Sequence, residues 1–246
     1  MTVYELSQYY DEKLISMETV SEAEKRETAE TFFSAVSDRK TVIRFHNGVN
    51  APRAENGDTR GMYPEFYIPP YNGGKKHKII TGATPKTHIL SANAYELEII
   101  RLLNLFSPED PRTVKMTQRT LARLETTCFD TTCYVGECYE AGLVSLRFRA
   151  AVCPQTAKLT ALAEKAAAHI DDAKRHSGVR YYLWLALSEL PGDMADYYLA
   201  GFREELQKKR GSSRATTLNN IITERALSAG AGHEDARGAA PYPASL

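Results

Sequence analysis

The sequence predicts a mainly α-helical protein. Residues 91–209 are expected to form an irregular helical bundle or a short stack of αα-hairpins, and residues 40–90 a small β- and loop-rich insert. Apolar residues recur at helical spacing through the second half of the chain. Proline and glycine interrupt this pattern at short intervals, and short connections make neighbouring helices antiparallel. Because no sequence repeat is visible, both the bundle and the hairpin stack stay open.

Two short helices are predicted at the N-terminus, each opened by a capping box. Thr2 with Glu5 and Ser21 with Glu24 have the three-residue spacing at which the two side chains cap each other's backbone N–H groups. The first helix is expected to end near Met17. Apolar residues after each box lie at helical spacing, so each helix has one face to bury.

The insert begins where this pattern changes. Residues 40–45 alternate and are rich in β-branched side chains, which predicts a short strand. Residues 46–74 are punctuated by glycine and proline and predict a loop, with short β segments around 62–68 and 77–81. A loop of this length inside a domain is typical of a functional lid or of a partly disordered segment.

Six helices are predicted in the second half of the chain, and their boundaries have local causes. Pro111 suits a first helical position, Pro154 and Pro191 end helices, and Gly211 follows the cations of a last turn. The six are expected at about 91–105, 111–126, 137–152, 159–170, 181–190 and 193–209.

The chain is predicted to divide into three parts. Residues 1–90 combine the N-terminal helices with the insert and pack on the core. Residues 91–228 form the helical domain, whose last and weakest helix covers 215–228. Residues 229–246 are small, polar and punctuated by glycine and proline, which predicts a disordered tail.

Composition restricts the class of protein. The 246 residues include 31 Lys plus Arg and 31 Asp plus Glu, so the net charge is zero and argues against global attraction to nucleic acid or to an anionic membrane. No segment approaches the roughly 20 apolar residues that a membrane-spanning helix requires, and the acidic N-terminus lacks a secretion signal. We therefore expect a cytoplasmic protein whose four cysteines are thiols. The oligomeric state is left open.

Three cysteines, Cys128, Cys133 and Cys138, lie in one short segment between predicted helices, and Cys153 follows the second helix. Their Cys-x4-Cys-x4-Cys-x14-Cys spacing matches no common zinc or iron–sulfur pattern. A continuous helix would separate Cys138 from Cys153 by roughly 22 Å, too far for one metal ion. Three interpretations stay open for the first three cysteines. They are partly buried thiols without a further role, a zinc site, or a redox pair. Candidates for a fourth zinc ligand are His169 and His176.

A second group of chemistry-bearing side chains lies in the loop at 71–88. Five of them suit contact with an anion: Lys75, Lys76, His77, Lys86 and His88. Aromatic residues precede them, and cations interleaved with aromatics suit a phosphate or a stacked base. The stretch is not a P-loop, because the chain lacks the order Gly-x4-Gly-Lys-Ser/Thr. The alternative is a solvated basic hairpin whose tyrosines pack on the helices.

Function is predicted mainly from the motifs that the sequence lacks. It has no Ser/His/Asp order, no His-Glu-x-x-His motif and no dinucleotide-binding glycine motif. The first hypothesis is therefore a non-catalytic helical interaction or scaffold protein that binds a protein or peptide partner and needs no cofactor. One alternative is a protein or enzyme that binds a small anionic ligand or nucleotide through the loop at 71–88. Another is a thiolate metal or redox module.

Overall fold

The structure is a computed structural model that describes residues 1–50, 62–131, 138–154, 157–169, 177–213 and 215–230. Within these ranges the chain forms twelve helices and no strand, which confirms the mainly α prediction. In chain order the helices are α1 (Val3–Ile15), α2 (Glu22–Ser34), α3 (Arg39–Asn50), α4 (His88–Phe106), α5 (Pro111–Glu125), α6 (Cys128–Thr131), α7 (Cys138–Val152), α8 (Ala157–Ala168), α9 (Ser177–Ser188), α10 (Asp193–Ala200), α11 (Arg203–Lys209) and α12 (Thr217–Ala229). No helix in the described ranges is both long enough and apolar enough to cross a membrane.

Local sequence signals set the observed helix starts. The Thr2 hydroxyl accepts the Glu5 N–H and the Glu5 carboxylate accepts the Thr2 N–H at 2.7 Å, so the first capping box is confirmed. The second is confirmed in the same way at Ser21 and Glu24. The Asp110 carboxylate caps α5, which begins with a proline. Each cap satisfies backbone donors that a helix leaves unpaired.

The predicted strand at 40–45 is wrong, because these residues belong to α3. The Asp38 carboxylate accepts the backbone N–H groups of Lys40 and Thr41 at 2.8 and 3.0 Å and so caps the helix. β-Branched residues favour a strand where a neighbouring strand packs beside them, and the described residues contain none. The local cap therefore outweighs the alternating pattern.

The rest of the predicted insert also differs from expectation. No strand forms at 62–68 or at 77–81, and both stretches are irregular chain with turns. The predicted loop at 46–74 is shorter than expected because α3 continues to Asn50. Residues 51–61 of that loop lie outside the described part of the chain. The insert is thus a helix followed by irregular chain, without a β component in the residues described.

The single helix expected at 193–209 is two helices. α10 ends at Ala200 and α11 begins at Arg203, so Gly201 and Phe202 form the break. Glycine is a poor helix former, and the Phe202 backbone leaves the helical region with φ −105° and ψ 2°. The other helices predicted in the second half, including α12, are confirmed to within about one turn.

The helices form an irregular bundle rather than a stack of hairpins. In a stack each hairpin contacts only its sequence neighbours, whereas α12 packs against α1 and α9, and α1 packs against α4. α4 and α7 pack against each other at the centre, and Leu97, Ile100, Leu146 and Trp184 are buried in the core. The predicted domain division stays a prediction, as does the disorder of the tail, whose residues 231–246 lie outside the described chain.

A buried carboxylate holds the chain that enters the loop region. One oxygen of Glu96 in α4 accepts three consecutive backbone N–H groups at 2.6 to 2.9 Å. These N–H groups belong to Glu65, Phe66 and Tyr67. The other oxygen pairs with Arg123 of α5 at 3.0 Å. Burial raises the pKa of the Glu96 carboxyl, and Arg123 and the three amides oppose that rise.

Candidate functional site

The basic loop, residues 71–88, is shaped by a glycine turn. Gly73 and Gly74 adopt positive φ angles of 56° and 76°, and the Lys75 N–H donates to the Asn72 carbonyl at 2.8 Å across the turn. Backbone in this region favours glycine, because a side chain would clash with the neighbouring carbonyl. The turn therefore fixes where the run of cationic residues begins.

Hydrogen bonds attach the basic loop to three helices. The Tyr4 hydroxyl of α1 donates to the Lys78 carbonyl at 2.8 Å. The Ser91 hydroxyl of α4 accepts the His77 N–H at 2.9 Å and donates to the His77 carbonyl at 3.1 Å. The Thr81 hydroxyl donates to a backbone carbonyl in the first turn of α9 at 2.8 Å. These three attachments use the loop's backbone or the Thr81 hydroxyl, so none of them uses a charged side chain of the loop.

Between these attachments lies an open groove of about 510 Å³, within the size range of small-molecule sites. All charged side chains among its described lining residues are basic. The lining consists of Tyr4, Asn72, Gly74, Lys75, Lys76, His77, Lys78, Thr84 and His88. Four of the five side chains predicted to contact an anion are thus brought together, and Lys86 is not among them.

Lys86 pairs with α7 instead of lining the groove. Its ammonium lies 3.7 Å from the Glu140 carboxylate, and its N–H donates to the same carboxylate at 3.4 Å. Its carbonyl accepts a hydrogen bond from the Lys76 ammonium at 2.7 Å. Lys86 therefore ties the basic loop to α7 and positions Lys76 beside the groove.

His77 has one ring nitrogen assigned by its partner. Nε2 lies 2.7 Å from the Pro70 carbonyl, which can only accept, so Nε2 carries a hydrogen. The ring also packs against the Tyr4 ring, with centroids 4.5 Å apart. Nδ1 is left to accept a hydrogen bond from a ligand, or to donate one to an anion once the imidazole is protonated.

Six charged side chains from five parts of the chain form a buried charge cluster. Three are carboxylates and three are guanidinium groups, so their formal charges cancel. The members are Asp11, Glu98, Arg101, Arg147, Glu189 and Arg225. The cluster joins α1, α4, α7, the chain after α9 and α12, and so lies where the N- and C-terminal helices meet the central pair.

Arg147 is the centre of the buried charge cluster. It is 1% exposed and donates to Asp11, Glu98 and Glu189 at 2.5 to 2.9 Å. Burial, opposed by Arg101, raises the pKa of Glu98 to about 7. Burial also acts on Glu189, but Arg101 and Arg147 outweigh it and lower the pKa of Glu189 to about 2. The two carboxyls therefore titrate in different pH ranges.

The free energy of unfolding is expected to fall between about pH 4.5 and about pH 7. A carboxyl whose pKa is raised by folding stabilises most below its unfolded pKa, and that contribution is lost as the pH rises through the folded pKa. For Glu98 this loss runs from its ordinary pKa of 4.5 up to its folded pKa of about 7 and amounts to at most about 3 kcal/mol. Glu189, with its lowered pKa, loses its contribution only as the pH falls from its ordinary pKa toward about 2.

Urea denaturation at several pH values measures this profile. Glu98→Gln, which does not titrate, should show a flatter decline between about pH 4.5 and about pH 7. Some decline should persist, because the pKa of Glu96 is also raised by burial. An equally steep decline in Glu98→Gln would contradict the assignment to Glu98.

The cysteine segment provides no metal site within the described residues. Cys133 lies outside them, and the rest contain no group of three or more His, Cys, Asp or Glu side chains placed to hold a metal ion. α7 is continuous between Cys138 and Val152, so Cys138 and Cys153 stand at opposite ends of a helix, as predicted. The zinc and redox hypotheses on Cys128, Cys133 and Cys138 stay predictions.

Cys153 is next to a buried ion pair. Arg149 pairs with the Asp130 carboxylate, to which its Nε donates at 3.1 Å, and its Nη1 lies 3.7 Å from the Cys153 sulfur. Burial raises the pKa of the Cys153 thiol, although Arg149 opposes the rise. The neutral thiol is therefore favoured, and a neutral thiol is a weak nucleophile and a weak metal ligand.

The buried charge cluster was not predicted, although two of its segments stand out in the sequence. Glu98 and Arg101 lie inside the mostly apolar run 97–103, and Arg147 lies inside the run 143–150. A helix that is apolar on all sides is buried, and a charged residue within it has to be paired. That combination is the signal from which part of the cluster could have been found.

No known protein family, curated protein or solved structure matches this chain. Of three adjacent cavities among the described residues, the groove is the one with room for a small molecule, since the other two hold only about 20 and 10 Å³. The groove and the charge cluster beside it are therefore the observations from which a function follows.

Proposed function

We propose that the protein binds a small phosphate-bearing anion in the groove. The observation that carries this proposal is the convergence of three lysines and two histidines on one groove whose described lining contains no carboxylate. Ammonium groups and protonated imidazoles donate charge-assisted hydrogen bonds to phosphate oxygens. The chain as a whole has no net charge, so this concentration of positive charge is a local feature.

The way the loop is held supports the proposal. Ser91 and Tyr4 bind the backbone of His77 and Lys78, which leaves the Lys78 ammonium and the His77 Nδ1 for a ligand. The Lys76 ammonium uses one donor on the Lys86 carbonyl and has two more. A site that is ordered before binding loses less conformational entropy when the ligand arrives.

The hypothesis of a helical scaffold for a protein or peptide partner stays a prediction. It was drawn mainly from the absence of catalytic motifs, and a curved stack of hairpins would have supported it with an extended concave surface. The observed bundle packs its first, central and last helices around one shared core. The groove therefore gives anion binding more support than the helices give a scaffold role.

Inorganic phosphate and propyl phosphate are expected to bind saturably, and Lys75→Gln/Lys76→Gln is expected to weaken both by at least about tenfold. A hydrogen bond to a charged group contributes about 1.5–3 kcal/mol, and 1.4 kcal/mol corresponds to a factor of ten in affinity. Isothermal titration calorimetry measures the dissociation constants. The affinities should also fall as the ionic strength rises, because the lining lysines are partly exposed.

Lys208→Gln/Lys209→Gln is the matched control. These lysines are also adjacent and lie at the end of α11, away from the groove lining. The control should bind both ligands like the unaltered protein. The proposal fails if the unaltered protein shows no saturable phosphate binding at low ionic strength, or if both double variants lose affinity equally.

A further inference from the structure

A small cavity adjoins the groove on the side of the helical body. It has a volume of about 20 Å³, enough for one water-sized group. It shares Tyr4, His77 and Lys78 with the groove, so a molecule seated in the groove lies next to it. Its inner wall is formed by side chains of α1, α4 and α9, among them Glu98 of the buried charge cluster.

Glu98 has an acceptor that the protein does not use. Its residue exposure is 9%, and its Oε2 accepts from the Arg147 guanidinium at 2.9 Å. Its Oε1 is buried and has no hydrogen-bond partner among the described residues. The Arg101 Nε lies 3.9 Å from Oε1, which is beyond hydrogen-bond distance. A buried carboxylate oxygen in this state gains strongly from a donor.

We infer that this cavity receives the ammonium group of a ligand whose phosphate lies in the groove, with Glu98 Oε1 as acceptor. The ligand class is then the phosphate monoester of a primary amino alcohol. This inference rests on the proposed phosphate site and adds a residue that determines specificity. The lysines recognise the phosphate, and Glu98 distinguishes among phosphate monoesters.

Charge and size both favour a primary ammonium. Two further carboxylates, Asp11 and Glu189, act on Glu98 together with the arginines of the cluster, and the pKa of Glu98 is raised by burial to about 7. Its negative charge is therefore less stabilised than in water, and an added cation compensates it more than a neutral hydroxyl does. The volume of about 20 Å³ accommodates a primary ammonium but not a trimethylammonium group.

Calorimetry on the unaltered full-length chain at about pH 8, where Glu98 is mostly ionised, compares four probes. O-Phosphoethanolamine is expected to bind at least about tenfold more tightly than propyl phosphate, which has a methyl in place of the ammonium. 2-Hydroxyethyl phosphate should show a smaller gain. Phosphocholine should show none, because its quaternary group has no N–H to donate and exceeds the cavity.

The outcomes separate this inference from the proposed phosphate site. If all four probes bind equally, the amino-alcohol class is overturned while phosphate binding stands. A gain for phosphocholine equal to that for O-phosphoethanolamine also overturns it, since general attraction of a cation would then explain both. If no probe binds, the phosphate site itself fails and this inference with it.

The Glu98→Gln variant gives a second test through its ratio of affinities. Its preference for O-phosphoethanolamine over propyl phosphate should fall to about twofold or less, because a glutamine carries no charge to pair with the ammonium. An undiminished preference in the folded variant would overturn the role of Glu98. Should the variant not fold, the comparison of four probes on the unaltered protein still decides the matter.

Discussion

Arg147→Met is expected to lower the free energy of unfolding by about 3–5 kcal/mol. Arg147 is 1% exposed and donates to Asp11, Glu98 and Glu189. Removing it leaves three buried carboxylates with two guanidinium groups, and a buried charge without compensation is strongly unfavourable. Methionine is also unbranched and fills much of the space with apolar atoms. The loss of stability therefore comes mainly from the missing charge and not from a large cavity. Urea denaturation followed by circular dichroism measures it.

Arg112→Met is the matched control for this substitution. Arg112 also pairs with two carboxylates, those of Glu30 and Asp110, but its side chain is 48% exposed and water and salt screen the pairs. Its loss of stability should be small beside that of Arg147→Met. The deficit of Arg147→Met should also shrink from about pH 8 to about pH 5, because protonation relieves the stranded carboxylates. A deficit that is independent of pH, or no larger than in the control, would refute this account.

The helix starts were predictable because the interactions that set them are local. Thr2 with Glu5 and Asp110 with its neighbouring proline lie within one turn of the groups they cap. The prediction was wrong at 40–45, where it followed the alternating β-branched residues and left Asp38, which caps α3, out of account. An alternating pattern becomes a strand only through a partner, and the sequence of one segment does not show whether a partner exists.

The candidate site divides in the same way between local and distant contacts. Apart from Lys78, the groove's lysines and histidines were predicted to contact an anion because they lie within the basic loop, where a tight turn keeps the run of cations close. The loop's attachment to Tyr4 and Ser91, and the pairing of Lys86 with Glu140, depend on helices that meet only after folding. The buried charge cluster is the extreme case, since its members run from α1 to α12 and, apart from Glu98 and Arg101 on α4, no spacing along the chain connects them.

Glu96→Ala is expected to cost about 3–5 kcal/mol, an effect as large as that of Arg147→Met, because it strands partners of two kinds. The buried guanidinium of Arg123 loses its carboxylate, and three consecutive backbone N–H groups lose their acceptor. The raised pKa of the Glu96 carboxyl indicates that burial disfavours its ionised form. Removing the Glu96 carboxylate is nevertheless unfavourable, since the Arg123 guanidinium and the backbone N–H groups that it accepts from stay buried. Hydrogen exchange at Phe66 and Tyr67 should accelerate together with the loss of stability.

Two further variants separate the charge from the amide contacts. Glu96→Gln keeps an oxygen for the N–H groups of Phe66 and Tyr67, so their exchange should stay slow. Stability should still fall, because the Arg123 guanidinium loses the carboxylate that it pairs with. Glu96→Gln/Arg123→Met removes both charges and should recover much of that loss, because a buried ion pair contributes little compared with apolar atoms of similar volume. If the double variant is no more stable than Glu96→Gln, the loss in Glu96→Gln does not come from the charge of Arg123. If Glu96→Ala leaves the exchange unchanged, Glu96 does not hold the 65–67 segment in the way that its hydrogen bonds indicate.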